Sequence, residues 1–285
     1  MGWHSIKNVY DFEKKELLKN LEPQDKPLAF ILGGQPASGK SNLANTIIRQ
    51  NPDKRFLFVN GDIYRSFHPQ AKDLIKDPHT YSEKTQIFSN FFTEELIKEA
   101  IKNKYNIIVE GTMRNPQVPL NTAKMFKENG FYVEALAISA PAIFTEIGLY
   151  TRYQEEINFQ GVGRLADIKS HHSAVEGILN SLDALYDKKV VDKIQIYSYQ
   201  GKSHIITFEQ KNERWNYDVL PSEEVIYSRE KQLKDKEMIE SIIQRGDKAL
   251  ENMNAEIKNN LIDLLNELEE YLRNLEENQT RGFKR

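Results

Sequence analysis

Residues 34–41 read Gly-Gln-Pro-Ala-Ser-Gly-Lys-Ser, so a lysine and a hydroxyl directly follow the second of two spaced glycines. The pattern G-x-x-x-x-G-K-[ST] is met at every fixed position, and its chemistry is the cradling of phosphate oxygens by backbone N–H groups. Lys40 supplies a charge for the β- and γ-phosphates, and the Ser41 hydroxyl suits the shell of a Mg2+ ion. Leu28–Leu32 ahead of the loop is an apolar run of strand character, and Leu43, Ile47 and Ile48 behind it fall at helical spacing. Strand, glycine loop and helix aim a positive helix end at an anion. Gly34, Gln35, Pro36, Ala37, Ser38, Gly39, Lys40 and Ser41 are therefore expected to hold a nucleoside triphosphate with Mg2+.

A phosphate donor needs an acceptor, and residues after each strand are the place to look, since ligands of open parallel sheets sit beyond the strands' carboxyl ends. Asp62 follows the second apolar run, Phe56–Val59, through Asn60-Gly61. There it could take the proton of a hydroxyl attacking the γ-phosphate; capping a helix from Ile63 onward is the alternative. Glu110 follows the third run, Asn106–Val109, and suits a metal or a substrate hydroxyl, with Thr112 and Arg114 as hydrogen-bond donors behind it. Glu94, on the preceding helix, faces either the same crevice or solvent. Arg152 lies on the helix after the fourth strand, and Arg164 follows Gln160-Gly-Val-Gly163, which reads as a mobile lid. Two arginines there would close over the triphosphate and offset charge during transfer. His171 and His172 are adjacent and diverge on a helix. With no acidic companion at ligand spacing, they are expected to support the lid rather than to bind zinc.

The elements that must carry these residues follow from periodicity. Strands are expected at Leu28–Leu32, Phe56–Val59, Asn106–Val109, Tyr132–Ile138 and Ile194–Tyr199, with Ser203–Phe208 as an antiparallel edge. Helices are expected at 10–21, 84–103, 119–129, 141–156 and 167–187. β-rich runs alternating with helices imply an α/β fold, a parallel sheet of the phosphate-loop kinase kind flanked by helices. That kinase domain is expected over 1–221, a helical extension over 222–278 and a disordered tail over 279–285. In the extension, Leu250, Met253, Ile257, Leu261, Leu264, Leu268, Leu272 and Leu275 form an eleven-residue repeat suited to a straight helix. Gly246-Asp247 is the expected break between two helices, with Asp247 as cap.

Composition sets the bounds. The 285 residues carry 42 acidic and 39 basic side chains, a net charge of −3, which argues against nucleic acid as the main partner. The absence of cysteine excludes disulfides and thiol catalysis. The N-terminus lacks the pattern of a signal peptide and no run has the length of a membrane span, so a cytoplasmic protein is expected, with no membrane partner.

Several of these stretches together resemble the zeta toxin family of phosphate-loop kinases, the toxin half of epsilon–zeta toxin–antitoxin pairs. The likeness is carried by Gly33–Ser41, Asp62 with Phe67-His-Pro69, Asn106–Arg114, Val118-Pro-Leu-Asn-Thr122 and Thr151-Arg-Tyr153, over roughly residues 25–200. The resemblance implies a kinase that uses ATP and Mg2+ to phosphorylate the 3′-hydroxyl of the amino sugar in UDP-N-acetylglucosamine, and an antitoxin partner. It implies Asp62 as general base, Lys40 and Ser41 as phosphate and metal groups, and Arg152 and Arg164 as transfer arginines. Glu94, Glu110, Thr112, Arg114 and Thr122 would line the sugar-nucleotide site with Asp62. Two departures stand out: the Asn60-Gly61 lead-in to Asp62, and Leu165 after Arg164 where a small residue is expected. The residues themselves leave open a kinase of another small hydroxyl compound, and a regulator that binds ATP without transfer.

Overall fold

The structure, a computed structural model, describes residues 3–282. The chain starts with α1 (Trp3–Leu17), earlier than the expected 10–21, though Leu18 and Leu21 still pack on the core. Then come β1 (Leu28–Gly33), α2 (Lys40–Gln50), β2 (Leu57–Asn60) and three short helices, α3 (Gly61–Tyr64), α4 (Ala71–Leu74) and α5 (Pro78–Lys84). Next are α6 (Gln86–Asn103), β3 (Ile107–Glu110), α7 (Gln117–Glu128), β4 (Tyr132–Ser139), α8 (Ala142–Gln160) and α9 (Ile168–Lys188). β5 (Lys193–Ser198), β6 (His204–Lys211) and β7 (Arg214–Trp215) finish the sheet, and α10 (Pro221–Gln232), α11 (Lys236–Leu250) and α12 (Ala255–Gly282) end the described chain.

Among the described residues one sheet forms, with strand order β2-β3-β1-β4-β5-β6-β7. The first five strands of that order are parallel, and β6 and β7 add antiparallel. β1 is central, and the chain leaves it toward β2 and β3 on one side and toward β4 and β5 on the other. The loop after β1 therefore lies where the winding reverses, the place such sheets open a crevice. Register is pinned by a buried side chain: Asn106 Oδ1 accepts from the Leu28 N–H at 2.9 Å, ahead of the pairing of Ala29 with Ile107. Alternation along β1 sends Ala29 and Ile31 to one apolar layer and Phe30 and Leu32 to the other. The first layer is closed by α1, α6, α7 and α9, the second by α2, α8, α11 and α12.

β7 was not expected from the sequence. It pairs with β6 through a tight turn in which Asn212 (φ 50°) and Glu213 (φ 60°) are both left-handed. Asn favours that conformation and Glu does not, so the residue types gave only half of the usual hairpin signal.

The C-terminal helices differ from expectation in number and in break. Gly246 does not end a helix; it lies inside α11, and a Cβ there would come within 2.5 Å of Leu265 Cδ2. The glycine marks the close crossing of α11 and α12. The breaks fall instead at 233–235, where Asp235 caps α11 by accepting from Met238 N–H, and at 251–254. The apolar repeat is thus split between two helices, and Leu265, at 3% exposure, is buried more deeply than Leu264. α12 continues to Gly282, into the stretch expected to be an unstructured tail; residues 283–285 of that stretch lie outside the described residues. Among the described residues no helix is long and apolar enough to cross a membrane.

Candidate active site

The phosphate loop runs from the end of β1 into α2, and its tightest point is Gly39, which precedes the helix with φ 98°. A Cβ there would stand 2.4 Å from the Gln200 Cα, so glycine alone allows the loop to meet the 199–201 turn after β5. That meeting is tied twice: Gln200 N–H donates to Ser38 O at 2.8 Å, and Asn42 Nδ2 donates to Gln200 O at 2.9 Å. Beside it, Asn42, Asn45, Thr46, Arg49 and Gln200 help line an open hollow of about 550 Å³. Gln35 is fully buried and holds the loop from behind, donating to Ala140 O at 2.8 Å and to Thr145 Oγ1 at 3.3 Å. Pro36 and Ala37 are half-buried at the bend, and Ser41 is exposed on the first turn of α2.

Lys40 is buried, and its ammonium turns back to donate to Gly34 O (2.8 Å) and Gln35 O (3.1 Å). Burial pushes its pKa down, opposed by the Glu110 and Asp62 carboxylates. The Ser38 hydroxyl is buried with no hydrogen-bond partner. A buried donor without an acceptor, and an ammonium resting on its own loop's carbonyls, are groups that a bound anion would satisfy. The residues present therefore fit a phosphate chain.

Asp62 stands in the first turn of α3, at the carboxyl end of β2. The helix cap is not Asp62 but Asn60, whose Oδ1 accepts from Asp62 N–H at 2.9 Å. The Asn60-Gly61 lead-in thus does the capping, and the Asp62 carboxylate is left for other partners. Those partners are two arginines. Arg164 grips both oxygens, Nη1 to Oδ1 at 2.6 Å and Nη2 to Oδ2 at 2.6 Å, while Arg65 Nε donates to Oδ1 at 3.0 Å. Burial works against the charged carboxylate, but the Arg164 and then the Arg65 hydrogen bonds outweigh it and hold Asp62 well below the usual carboxylate range.

The other charged residues close the cluster. Glu110 ends β3 and its Oε2 is buried without a partner; burial raises its pKa, with Lys40 pulling the other way. Arg152 on α8 comes within 3.5 Å of Glu156 Oε1, yet its Nε makes no hydrogen bond. Burial, then the Arg164 charge, lowers its pKa. Of the Gln160–Gly163 stretch expected as a lid, Gln160 still belongs to α8, which ends on left-handed Gly161. Arg164 is fastened there by its own N–H, which donates to Glu156 Oε2 at 2.8 Å. Lys40, Asp62, Glu110, Arg152 and Arg164 are near enough to act on one another's charge.

The remaining expected residues have other neighbours. Arg114 Nη1 donates to Ser170 Oγ at 3.1 Å, on α9, and Thr122 Oγ1 donates to Val118 O at 2.9 Å within its own helix. Thr112 is half-buried in the loop after β3, and Glu94 is exposed on α6. Arg65 went unnoticed in the sequence. Its only signal there is a spacing of three residues from Asp62 on a helical turn, which places the two side chains together.

The histidine pair does have an acidic companion, contrary to expectation. Glu146 Oε2 on α8 lies 3.0 Å from His172 Nε2, and Glu146, His171 and His172 form a group with ligand atoms within 4.8 Å. His171 Nε2 lies 2.8 Å from Thr145 Oγ1, the same hydroxyl that receives Gln35. The pair therefore pins α9 to α8 and backs the phosphate loop, rather than supporting the lid. Burial lowers the His171 pKa to about 4, so the ring is neutral at pH 7.

Comparison with known proteins adds the family. A family model described as zeta toxin matches residues 14–211. A curated Toxin zeta from Enterococcus hirae is 27% identical over 190 residues, 66% of this chain and 66% of that protein. The chain thus spans just under two thirds of the length of that relative. Toxin PezT from Streptococcus pneumoniae is 27% identical over 241 residues, 84% of this chain and 91% of the relative. Among solved structures, one of the PezAT chromosomal toxin–antitoxin system of the same species superposes with a TM-score of 0.74 at 21% identity, covering 88% of this chain and 98% of that one. A structure of AvrRxo1-ORF1:-ORF2 with ATP gives a TM-score of 0.51 at 13% identity, over 95% of this chain and 87% of that one. Both are likenesses of fold.

Proposed function

The chain belongs to the zeta toxin family, and from that premise we propose that it is an ATP-dependent kinase whose acceptor is the 3′-hydroxyl of the amino sugar of UDP-N-acetylglucosamine. The observation that carries the kinase reading is the placement of an ionised carboxylate, Asp62, in one charged cluster with the phosphate-loop lysine and two further arginines. A protein that only binds ATP needs no base at that edge. In the proposed reaction the acceptor oxygen attacks the γ-phosphorus, the bond from that phosphorus to the β-phosphate bridging oxygen breaks, and ADP leaves. Asp62 takes the hydroxyl proton. Lys40 and the loop N–H groups hold the phosphates, and Arg152 and Arg164 offset the charge spread over the transferred group. Ser41, exposed at the start of α2, and Glu110, with an unpartnered oxygen, are the residues that would hold Mg2+, which neutralises phosphate charge when bound.

The sugar-nucleotide acceptor is supported by the family and by the stretches Val109–Arg114 and Val118–Thr122. Phosphorylating that precursor would block cell-wall synthesis. An antitoxin partner and action in the cytoplasm belong to the same reading, and the PezAT likeness favours the partner. The test is incubation of the purified protein with ATP, Mg2+ and a panel of UDP-sugars, followed by mass spectrometry. One added phosphoryl group on UDP-N-acetylglucosamine is expected, and none with Lys40→Ala. Phosphorylation of a different hydroxyl compound alone would replace the substrate, and no transfer to any acceptor would leave a nucleotide-binding regulator.

A further inference from the structure

Asp62 is held by two arginines of opposite character. Arg164 comes from the irregular segment between α8 and α9, and its guanidinium reaches across to grip Asp62. Arg65 is different: it is 7% exposed and its guanidinium is fixed at both ends. Nη1 donates to Ser82 O at 2.6 Å and to Thr85 Oγ1 at 3.2 Å, Nη2 donates to Gln86 Oε1 at 2.9 Å, and Nε is left for Asp62 Oδ1. Thr85, fully buried, is itself tied to Tyr81 O at 2.6 Å, so the arginine is seated in the joint between α5 and α6. A planar fork with its donors spoken for on three sides can present its remaining N–H in one direction only.

Arg164 on both oxygens and Arg65 on Oδ1 leave the carboxylate about one of its four lone-pair sites, on Oδ2 beside the Arg164 guanidinium, and Arg164 is also the cation that the triphosphate would draw. The two anions compete for one guanidinium. We propose that Arg65 is the positioning residue that keeps the Asp62 carboxylate aimed at the acceptor when ATP draws Arg164 away, so that nucleotide binding exposes the base. This rests on the kinase reading above for its catalytic half. Oδ2, which Arg164 alone contacts, becomes the oxygen that receives the proton, and Oδ1 stays on Arg65.

Two arms test it. In the binding arm, which needs no turnover, Asp62→Asn releases Arg164 and tightens ATP binding by about 1.5- to fivefold in calorimetry, the range expected for freeing one partly exposed ion pair. Unchanged or weaker binding overturns the exchange of Arg164. In the turnover arm, Arg65→Met lowers kcat at least tenfold with little change in KM for ATP. It also moves the acid limb of the pH–rate profile to higher pH, because a cation that favours the ionised carboxylate is gone. The other groups acting on Asp62 are Arg164 from the segment between α8 and α9, Lys40 on α2, Glu110 on β3, Arg152 on α8 and Tyr81 on α5, and all remain in that variant. Arg65→Lys restores the charge, so its acid limb returns toward wild type while kcat recovers only in part, for want of the fork. It stands in for Arg65→Met should that variant fail to fold. A wild-type kcat and acid limb in both Arg65 variants overturn the proposal. A wild-type protein without transfer to any acceptor overturns the kinase reading instead, and the binding arm then decides the exchange of Arg164 by itself.

Discussion

At the scale of single residues, the chemistry depends on which polar atoms are left over after the fold has used the rest. Asn60 caps α3, and this frees Asp62. Gln35 Nε2 and His171 Nε2 both meet the Thr145 hydroxyl behind the phosphate loop, and this helps keep that loop's backbone in place. His171 carries a consequence for pH. Its folded pKa is lowered from 6.5 to about 4 by burial, so protons bind the unfolded chain first. Between those values stability falls as pH falls, since the unfolded state holds more protons there. Chemical denaturation followed from pH 7 to pH 4 should show this loss in the wild type and a flatter profile in His171→Gln. Equal slopes in the two proteins would assign the acid sensitivity to other groups.

At the scale of elements, α9 does more than cover the sheet. Its Gly177 meets the backbone of Arg114 so closely that an added Cβ would lie 2.0 Å from the Arg114 carbonyl oxygen. Ser181, one turn on, donates to Met113 O at 2.6 Å. Together they seat the loop after β3, in which Met113 adopts φ 53° and from which Thr112 and Arg114 project. Backbone cannot yield as a flexible side chain does. Gly177→Ala is therefore expected to cost at least about 1–3 kcal/mol by overpacking, despite the better helix propensity of alanine. Thermal unfolding would register the cost. On the proposed reading the same change raises KM for the sugar nucleotide more than KM for ATP, because the displaced loop is on the acceptor side. A more stable Gly177→Ala protein would show that the loop is free to shift.

At the scale of the whole molecule, α11 and α12 share an apolar layer with α2, α8 and the second face of the sheet. α10 belongs to the opposite layer through Val225, and Gln232 at its end donates to Ser139 O and accepts from Tyr199 N–H, both at 2.8 Å. We infer from this that residues 222–278 unfold with the α/β core. Leu261, fully buried on α12, is the place to test it. Leu261→Ala should lower the global unfolding free energy by about 2–5 kcal/mol. Hydrogen exchange should show the same loss for the amides of β1 and of α12. A loss confined to α12 would make the extension a separate unit. Much of this architecture could be read from residue order. The phosphate loop, the alternation of apolar runs with helices and the carboxylate after the second run are local patterns, and local backbone preference and periodicity are written in neighbouring residues. Gly246 was misread as a break because a glycine inside a helix looks the same in sequence whether it ends the helix or admits a neighbour. Arg65, the Glu146–His172 pair and the clasp of Asp62 by Arg164 join residues from separate elements. Which side chains meet across such distances is set by how the elements pack, and only the tertiary structure decides it.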